Sequence, residues 1–280
     1  MRDIYVLDLH THTYASGHAY NTMNEMAYAA KEKGLQLLGI TDHAPAMPYS
    51  SGPLHFLNLK VARREKYGLP LLLGVEANIV DYEGNLDMEE AVLKQMDIVI
   101  ASLHTPCIKS GTREDNTNAY LGAIHNPYVD ILGHPDDVRY EVDYETVIRE
   151  AKNYGTLIEL NNASLSPKSF RKNAKEADKE ILRLCEKYEV PVVVSSDAHV
   201  EEDILNFEYA DALLCEVNFP LELIVNTSVE KLKTALKNRA PMHNCLKNKA
   251  YITIYTTFNP YHLLHHYLDE LHINLIFHLI

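Results

Sequence analysis

The stretch LDLHTHTYASGH (residues 7–18) places three histidines close together near the start of the chain. Side chains alternate between the two faces of a strand, so an extended segment over residues 6–12 would point Asp8, His10 and His12 to the same side. Two imidazoles then share one site, and His18 follows in the next loop. A lone histidine is more often a surface residue than a ligand, so the meaning of this cluster depends on what the rest of the chain adds to it.

The bulk composition limits the class of protein. With 280 residues and 46% hydrophobic content, the chain is long enough for one barrel-sized domain. A net charge of -13 argues against nucleic acid or an anionic membrane as the main partner. The four cysteines are widely spaced, and before residue 240 no apolar run reaches the ~18 residues of a membrane span. We expect a soluble, cytoplasmic protein with no nucleic acid and no membrane partner.

Short apolar runs rich in β-branched residues recur along the chain. Continuous apolar character is typical of strands that are buried on both faces of a parallel sheet. The seven runs span residues 4–10, 35–41, 69–77, 96–104, 129–134, 155–161 and 190–199. Segments 24–34, 143–155 and 174–189 between them predict helices from their caps and amphipathic spacing. The alternation predicts an α/β fold, a parallel barrel of seven strand-helix units.

The composition changes near residue 240. Residues 240–280 hold six of the fifteen histidines. The segment 251–258 predicts a strand and 261–280 a mostly apolar helix, on which His262, His265 and His266 would share a face suited to metal. A packing or dimer-forming tail, or unrelated appended sequence, is the interpretation we favour over metal binding. We therefore divide the chain into a barrel domain, residues 1–239, and an unassigned tail, residues 240–280.

Metal-ligand side chains stand at the carboxyl ends of six of the seven runs, where parallel barrels build their active sites. They are His10, His12, His43, Glu76, His104, His134, Asp197 and His199. Divalent cations bind neutral imidazole and carboxylate together, so this set predicts a site for several metal ions. Mixed nitrogen and oxygen ligands suit zinc, manganese or iron.

The motifs DLHTHT, TDH, GVEAN, SLHTP, LGHPD and SSDAH, in this order, resemble those of the PHP (polymerase and histidinol phosphatase) domain family. The resemblance runs from about residue 8 to the 230s. ASGHAYNT (15–22) and LIELNNASL (157–165) add similarity to the YcdX-like subgroup of trinuclear zinc phosphatases. The resemblance implies a distorted TIM-like (β/α)7 barrel, the PHP fold, with three divalent metal ions, zinc above all.

The same resemblance implies how the ligands divide among the three ions. The first ion would take His10, His12, Glu76 and Asp197. Glu76 would bridge to a second ion, which His104 and His134 also hold. The third ion would take His18, His43 and His199.

This ligand set predicts a hydrolase that acts on phosphate monoesters of small molecules. A hydroxide shared by two metal ions would attack phosphorus, because each ion lowers the pKa of bound water from ~15.7 towards ~7. Glu76, Asp197 and His199 are the candidate catalytic residues. A metal ion, His199 or a bound water could each assist the leaving group, and the sequence leaves this choice open.

Several other polar residues are weaker candidates. Asp8 and Asp42 lie beside ligands and could orient imidazole rings. Four basic residues could contact phosphate, namely Arg113, Arg139, Lys168 and Arg171. Three ring side chains could line the substrate mouth, namely Tyr14, Tyr20 and His55.

Other functions remain open at this stage. Histidinol-phosphate phosphatase shares the family and the ligand pattern. An amidohydrolase also begins with an HxH strand, but it commonly bridges two metals with a carboxylated lysine, which LLLGVEAN (71–78) does not offer. Exonuclease activity fits poorly with an acidic chain. A non-catalytic, metal-stabilised regulatory or interaction domain is the alternative from a different class, and homo-oligomers are possible.

Overall fold

The structure, a computed structural model, describes residues 4–236. The predicted domain boundary after residue 239 lies outside the described residues. So do the predicted strand 251–258, the predicted helix 261–280 and its three histidines.

The described residues contain nine strands in two sheets. These strands are β1 (Leu7–Asp8), β2 (Leu37–Ile40), β3 (Glu65–Lys66), β4 (Leu69–Leu73), β5 (Val75–Asn78), β6 (Val99–Ser102), β7 (Ile131–Leu132), β8 (Leu157–Asn161) and β9 (Val192–Ser195). The first sheet has the order β1-β2-β4-β3 and the second the order β5-β6-β7-β8-β9. All neighbours are parallel except β3 and β4, which form an antiparallel pair. Each predicted run contributes at least one strand. Strand β3 lies outside these runs and was not predicted, because it is not apolar.

The third predicted run breaks into β4 and β5 at Gly74. The backbone N–H of Gly74 still donates to the carbonyl of Ile40 at the end of β2, at 2.8 Å. Val75, one residue later, pairs with Val99 of β6. A Cβ atom at position 74 would lie 2.1 Å from the carbonyl oxygen of Ile98, so only glycine allows the chain to cross from one sheet to the other here.

Nine α-helices lie within the described residues. They are α1 (Met23–Glu32), α2 (Pro53–Asn58), α3 (Glu90–Leu93), α4 (Arg113–His125), α5 (Tyr144–Tyr154), α6 (Asn162–Leu165), α7 (Ala174–Tyr188), α8 (Glu208–Glu216) and α9 (Val229–Ala235). The three helices predicted from sequence correspond to α1, α5 and α7. Among residues 4–236, none of these helices combines the length and apolar character that crossing a bilayer requires.

The predicted α/β class is confirmed, and the burial of the strands explains why it was readable. Every residue of β2, β4, β5, β8 and β9 is buried, because helices or the barrel interior cover both faces. Isolated bridges join the two sheets into a distorted barrel. His43 bridges to Glu76 beyond β2, and Thr11 bridges to Ala198 beyond β9.

The seam between β1 and β9 is held by a buried asparagine that follows the barrel. The side chain of Asn226 donates to the carbonyls of Leu7 (3.0 Å) and Val194 (2.7 Å), and its Oδ1 accepts from the Val194 N–H at 2.7 Å. The amide thus satisfies the backbone of two strands that are too short to pair fully.

We expect Asn226→Ala to destabilise the barrel by about 2–4 kcal/mol, because it leaves several buried backbone groups without partners. Urea unfolding followed by circular dichroism measures this. Asn58→Ala, at an exposed position of α2, is the control and should change the unfolding free energy by less than about 0.5 kcal/mol. Equal stability of the two variants would contradict the role of Asn226 in the seam.

Candidate metal centre

The structure brings all nine predicted ligand residues together at the carboxyl ends of the strands. The carboxylate of Glu76, which is fully buried in β5, lies in the middle of them. Its Oε1 atom is 3.0 Å from Nε2 of His134 and 3.2 Å from Nε2 of His104. Its Oε2 atom is 2.6 Å from Nδ1 of His43 and 3.3 Å from Nε2 of His10.

Asp197 supplies the second carboxylate. Its Oδ1 atom lies 3.2 Å from Nε2 of His12 and 3.7 Å from Nε2 of His10. Both Asp197 and His134 have positive φ angles, 56° and 31°. Non-glycine residues rarely adopt this conformation, and it is typical of functional sites where the surroundings impose it.

His18 and His199 form the outer edge of the centre. Their Nε2 atoms are 3.0 Å apart. His18 is exposed and His199 half-buried, whereas the seven other ligand residues place their donor atoms deeper in the barrel. Both lie in loops, after β1 and after β9 respectively.

The imidazole rings are oriented by partners outside the centre. Nδ1 of His10 contacts the Glu159 carboxylate at 2.7 Å, and Nδ1 of His12 contacts the Ser16 hydroxyl at 3.0 Å. Ser16 already donates its proton to Asp42, so the His12 Nδ1–H is the donor in that contact. Each ring therefore carries its proton on Nδ1 and turns the Nε2 lone pair towards the centre.

Three further rings have the same orientation, with Nδ1 directed at an acceptor outside the centre. Nδ1 of His104 contacts Oδ1 of Asn78 at 2.7 Å, and the Asn78 amide group is oriented by the bonds that its Nδ2 donates. Nδ1 of His18 contacts the Ser16 carbonyl at 3.1 Å, and Nδ1 of His199 contacts the Asp197 carbonyl at 2.9 Å. The two Nε2 lone pairs of His18 and His199 consequently face each other, which a shared cation would relieve.

The donor set fits divalent metal ions. Four inward atoms are buried and make no hydrogen bond within residues 4–236, namely His10 Nε2, His12 Nε2, His43 Nδ1 and Glu76 Oε2. The last two lie 2.6 Å apart but without the geometry of a hydrogen bond. Leaving such atoms unpaired is costly, and metal coordination satisfies them. Three groups have donor atoms within 4.8 Å of one another, namely His12 with His43 and His199, His10 with His12 and Glu76, and His43 with Glu76 and His104.

These three groups cut across the division that the family resemblance implies. His43 was expected beside His18 and His199, yet its Nδ1 atom lies 2.6 Å from Glu76. The nine residues form one continuous cluster, so the distances alone do not assign each ligand to a single ion.

The electrostatics of the cluster are those of ionised carboxylates among imidazoles. Burial raises the pKa of Glu76, but the imidazoles of His43 and His10 outweigh it and hold this pKa well below the usual range. Burial lowers the pKa of His12 well below its usual value, and the neighbouring His199 adds to this effect. For His10, burial lowers the pKa, but the carboxylates of Glu159 and Glu76 outweigh it and raise this pKa well above the usual value. Metal binding requires a neutral imidazole, so a cation at His10 Nε2 would take the place of the proton there.

Glu159 is the functional residue that sequence reasoning missed. This buried carboxylate of β8 accepts from Nδ1 of His10 and from the backbone N–H of His134, both at 2.7 Å. It therefore positions two ligands that follow different strands, β1 and β7. An acidic residue inside the apolar run LIELN was the available signal, since a charge is buried in a strand only when it has a partner.

Of the two aspartates that were predicted to orient imidazole rings, only Asp42 does so. Asp42 accepts from the Ser16 hydroxyl at 2.7 Å, and through Ser16 it orients His12. The prediction that Asp8 orients an imidazole is wrong, because its carboxylate accepts from the backbone N–H groups of Ser196 and Leu205 at 3.2 and 3.0 Å. Asp8 fastens the loop that follows β9.

Among the four basic candidates, Arg171 is the one that reaches the centre. It is buried, and its Nη1 lies 3.5 Å from Oδ2 of Asp197 and 3.0 Å from the Ser164 hydroxyl. Arg139 is paired with Asp137, and Arg113 lies on the surface, 3.5 Å from Asp143. Lys168 is exposed.

The three ring side chains proposed for the substrate mouth lie next to ligands or their partners. Tyr14 and Tyr20 are exposed within the loop that carries His18, and the Tyr20 backbone N–H donates to the carbonyl of His199 at 3.0 Å. Nε2 of His55 lies 3.9 Å from Oδ2 of Asp42.

A distorted α/β barrel whose strand ends carry such a donor set defines a metal-dependent enzyme. The family model described as the PHP domain matches residues 8–167, and the chain belongs to the PHP domain family. This confirms the family predicted from the motifs.

Curated relatives agree on the enzyme class. The chain is 47% identical over 238 residues to a probable phosphatase of Clostridium novyi, covering 85% of this chain and 97% of the relative. It is 49% identical over 231 residues to a probable phosphatase of Caldicellulosiruptor bescii, covering 82% and 95%. The predicted class is confirmed, and the chain is a metal-dependent hydrolase of the phosphatase type.

Solved structures show the same fold at low identity. A histidinol phosphate phosphatase of Lactococcus lactis, crystallised with zinc, L-histidinol and phosphate, aligns with a TM-score of 0.55 at 17% identity. The alignment covers 77% of this chain and 95% of that one. A chain of an archaeal ribonuclease P complex with mature tRNA aligns with a TM-score of 0.54 at 21% identity, covering 87% and 94%.

We expect Glu159→Ala to weaken metal binding by about 10- to 100-fold, because His10 loses the acceptor that orients it. Glu159→Gln should lose less, since its side-chain oxygen can still accept from Nδ1. Calorimetric titration of zinc into metal-free protein measures the affinity. Glu180→Ala, at an exposed position of α7, is the control, and wild-type affinity in Glu159→Ala would refute the role of Glu159.

Proposed function

We propose that this chain hydrolyses phosphate monoesters of small molecules at a centre of three divalent metal ions. The observation that carries the proposal is the orientation of the imidazole rings. Five of them turn an N–H outwards to fixed acceptors and an Nε2 lone pair inwards, around two ionised carboxylates. This arrangement suits several cations and suits no other bound group so well.

The proposed ligands are His10, His12, His18, His43, Glu76, His104, His134, Asp197 and His199. When bound, divalent ions of this kind lower the pKa of water towards ~7 and neutralise phosphate oxygens, so hydrolysis needs no nucleophile from the protein. Glu76 has carboxylate oxygens directed at two sets of histidines, which favours a bridging role. Zinc, manganese and iron all fit the nitrogen and oxygen donors.

Arg171 is the residue we propose for contact with the phosphate. Its guanidinium is buried beside Asp197, and the surrounding carboxylates, Asp197 first among them, outweigh burial and raise its pKa, so it stays charged. A charged, partly desolvated guanidinium binds phosphate oxygens in the forked geometry that suits two hydrogen bonds.

We propose that His199 serves as a ligand rather than as the proton donor to the leaving group. Both roles would use its Nε2 atom, because Nδ1 is engaged by the Asp197 carbonyl. Nε2 faces the Nε2 of His18 at 3.0 Å, and this pairing favours coordination.

The first test joins metal analysis to turnover. Gently purified protein should contain about three metal ions per chain and hydrolyse p-nitrophenyl phosphate after zinc, manganese or iron is added. Glu76→Ala should lower kcat/KM by more than ~100-fold, because metal coordination supplies several kcal/mol to the transition state and each ~1.4 kcal/mol is tenfold. One metal or fewer with no turnover would favour the non-catalytic, metal-stabilised domain instead.

The substrate panel should include histidinol phosphate, because the structurally similar Lactococcus lactis enzyme contains histidinol and phosphate. It should also include sugar phosphates and a phosphodiester. Preferential turnover of the diester would contradict the proposed monoester specificity.

We expect Arg171→Lys to retain metal but to lower kcat/KM for p-nitrophenyl phosphate by about 10- to 100-fold, because an ammonium cannot reproduce the guanidinium fork. Steady-state kinetics with inorganic phosphate as inhibitor measures this. Arg113→Lys, whose side chain is 55% exposed, is the matched control. If Arg171→Lys matched that control in both KM and phosphate inhibition, the assignment would fail.

A further inference from the structure

The outer part of the centre is built differently from the rest. His10, Glu76, His104 and His134 are buried at or beside strand ends, whose positions the sheet fixes. His18 and His199 instead lie in two loops, residues 9–22 and 196–207. The geometry of this pair therefore depends on contacts that hold one loop against the other.

A reciprocal pair of hydrogen bonds joins these two loops. The Asn21 side chain donates from Nδ2 to Oε2 of Glu201 at 3.0 Å, and its Oδ1 accepts from the backbone N–H of Glu201, also at 3.0 Å. Beside them, the backbone N–H of Tyr20 donates to the carbonyl of His199. These contacts lie two to three residues from the imidazoles that they would align.

Each half of this contact is itself anchored. The Asn21 carbonyl accepts from the Tyr14 N–H at 2.8 Å, which closes its loop, and the capping box of α1 begins at the next residue, Thr22. On the other side, Lys33 at the end of α1 donates from Nζ to the carbonyls of Glu201 (3.1 Å), Glu202 (2.6 Å) and Ile204 (2.8 Å). Helix α1 thus holds both loops.

We propose that Asn21 and Glu201 are positioning residues that set the metal affinity of the outer subsite, where the Nε2 atoms of His18 and His199 face each other. The inference rests on the proposed metal centre and goes beyond it, because it assigns one ion to a subsite whose affinity depends on the contact between two loops. Loss of the contact separates His18 from His199 and leaves the buried ligands in place. The outer ion is then lost while the inner ions remain.

Exchanging the amide group of Asn21 and the carboxylate of Glu201 between the two positions gives a sharp test. Asn21→Ala removes both bonds, and Asn21→Asp sets a carboxylate against that of Glu201. In the double variant Asn21→Asp with Glu201→Gln, the glutamine amide can donate to the new aspartate, while the residue-201 N–H keeps its acceptor. Asn153→Ala is the control, because Asn153 makes the same amide-to-glutamate bond, to Glu150 at 3.0 Å, on the surface of α5.

The measurement is the metal content of full-length protein after gel filtration in metal-free buffer, with zinc calorimetry of the metal-free chain. Wild type and Asn153→Ala should hold about three ions. Asn21→Ala and Asn21→Asp should hold about two, with the weakest site weakened about 10- to 100-fold, and the double variant should return towards three. Recovery in the double variant is a result that a general loss of folding cannot produce.

Two results would overturn the inference, and they are distinct from failure of the proposed function. If wild type and Asn21→Ala both hold three ions of unchanged affinity, the loop contact does not control the subsite. If Asn21→Ala weakens all sites equally, its role is a general structural one. Wild-type protein with fewer than about two ions would instead refute the polynuclear centre itself.

Discussion

The structure depends on one buried carboxylate. Glu76 is fully buried, and an isolated ionised carboxylate in that position would cost several kcal/mol of stability. Imidazoles from four different parts of the chain surround it, with nitrogen atoms 2.6 to 3.3 Å from its oxygens. His10 and His104 are held in this position because Glu159 and Asn78 contact the Nδ1 atoms on the far sides of the two rings. The barrel thus turns a destabilising charge into the point about which its strand ends are arranged.

An acidic chain that binds anionic substrates faces an electrostatic conflict. The net charge of -13 repels phosphate at long range, and the site itself contains two carboxylates. Bound divalent cations reverse the sign of the local field, and the buried guanidinium of Arg171 adds to it. The positive charge is thus confined to the place of reaction.

Much of the fold and of the candidate site could be predicted because parallel strands leave a strong signal. Their runs are continuously apolar, and the polar residues at their carboxyl ends stand out against this background. The break at Gly74 could not be predicted, because it depends on the distant carbonyl of Ile98. Glu159 was missed because a single acid within an apolar run does not reveal its partner. The role of Asp8 depends on loop backbone that only the folded chain brings near.

The seam closed by Asn226 has a consequence for the order in which the molecule is built. Asn226 contacts Leu7 across 219 residues of chain. At a synthesis rate of about 5–20 residues per second, β1 leaves the ribosome roughly ten to forty seconds before this partner exists. During that interval β1, which His10 and His12 follow, has an open edge. The set of candidate ligands is therefore complete only after almost the whole barrel has been made, because Asp197 and His199 come late in the chain.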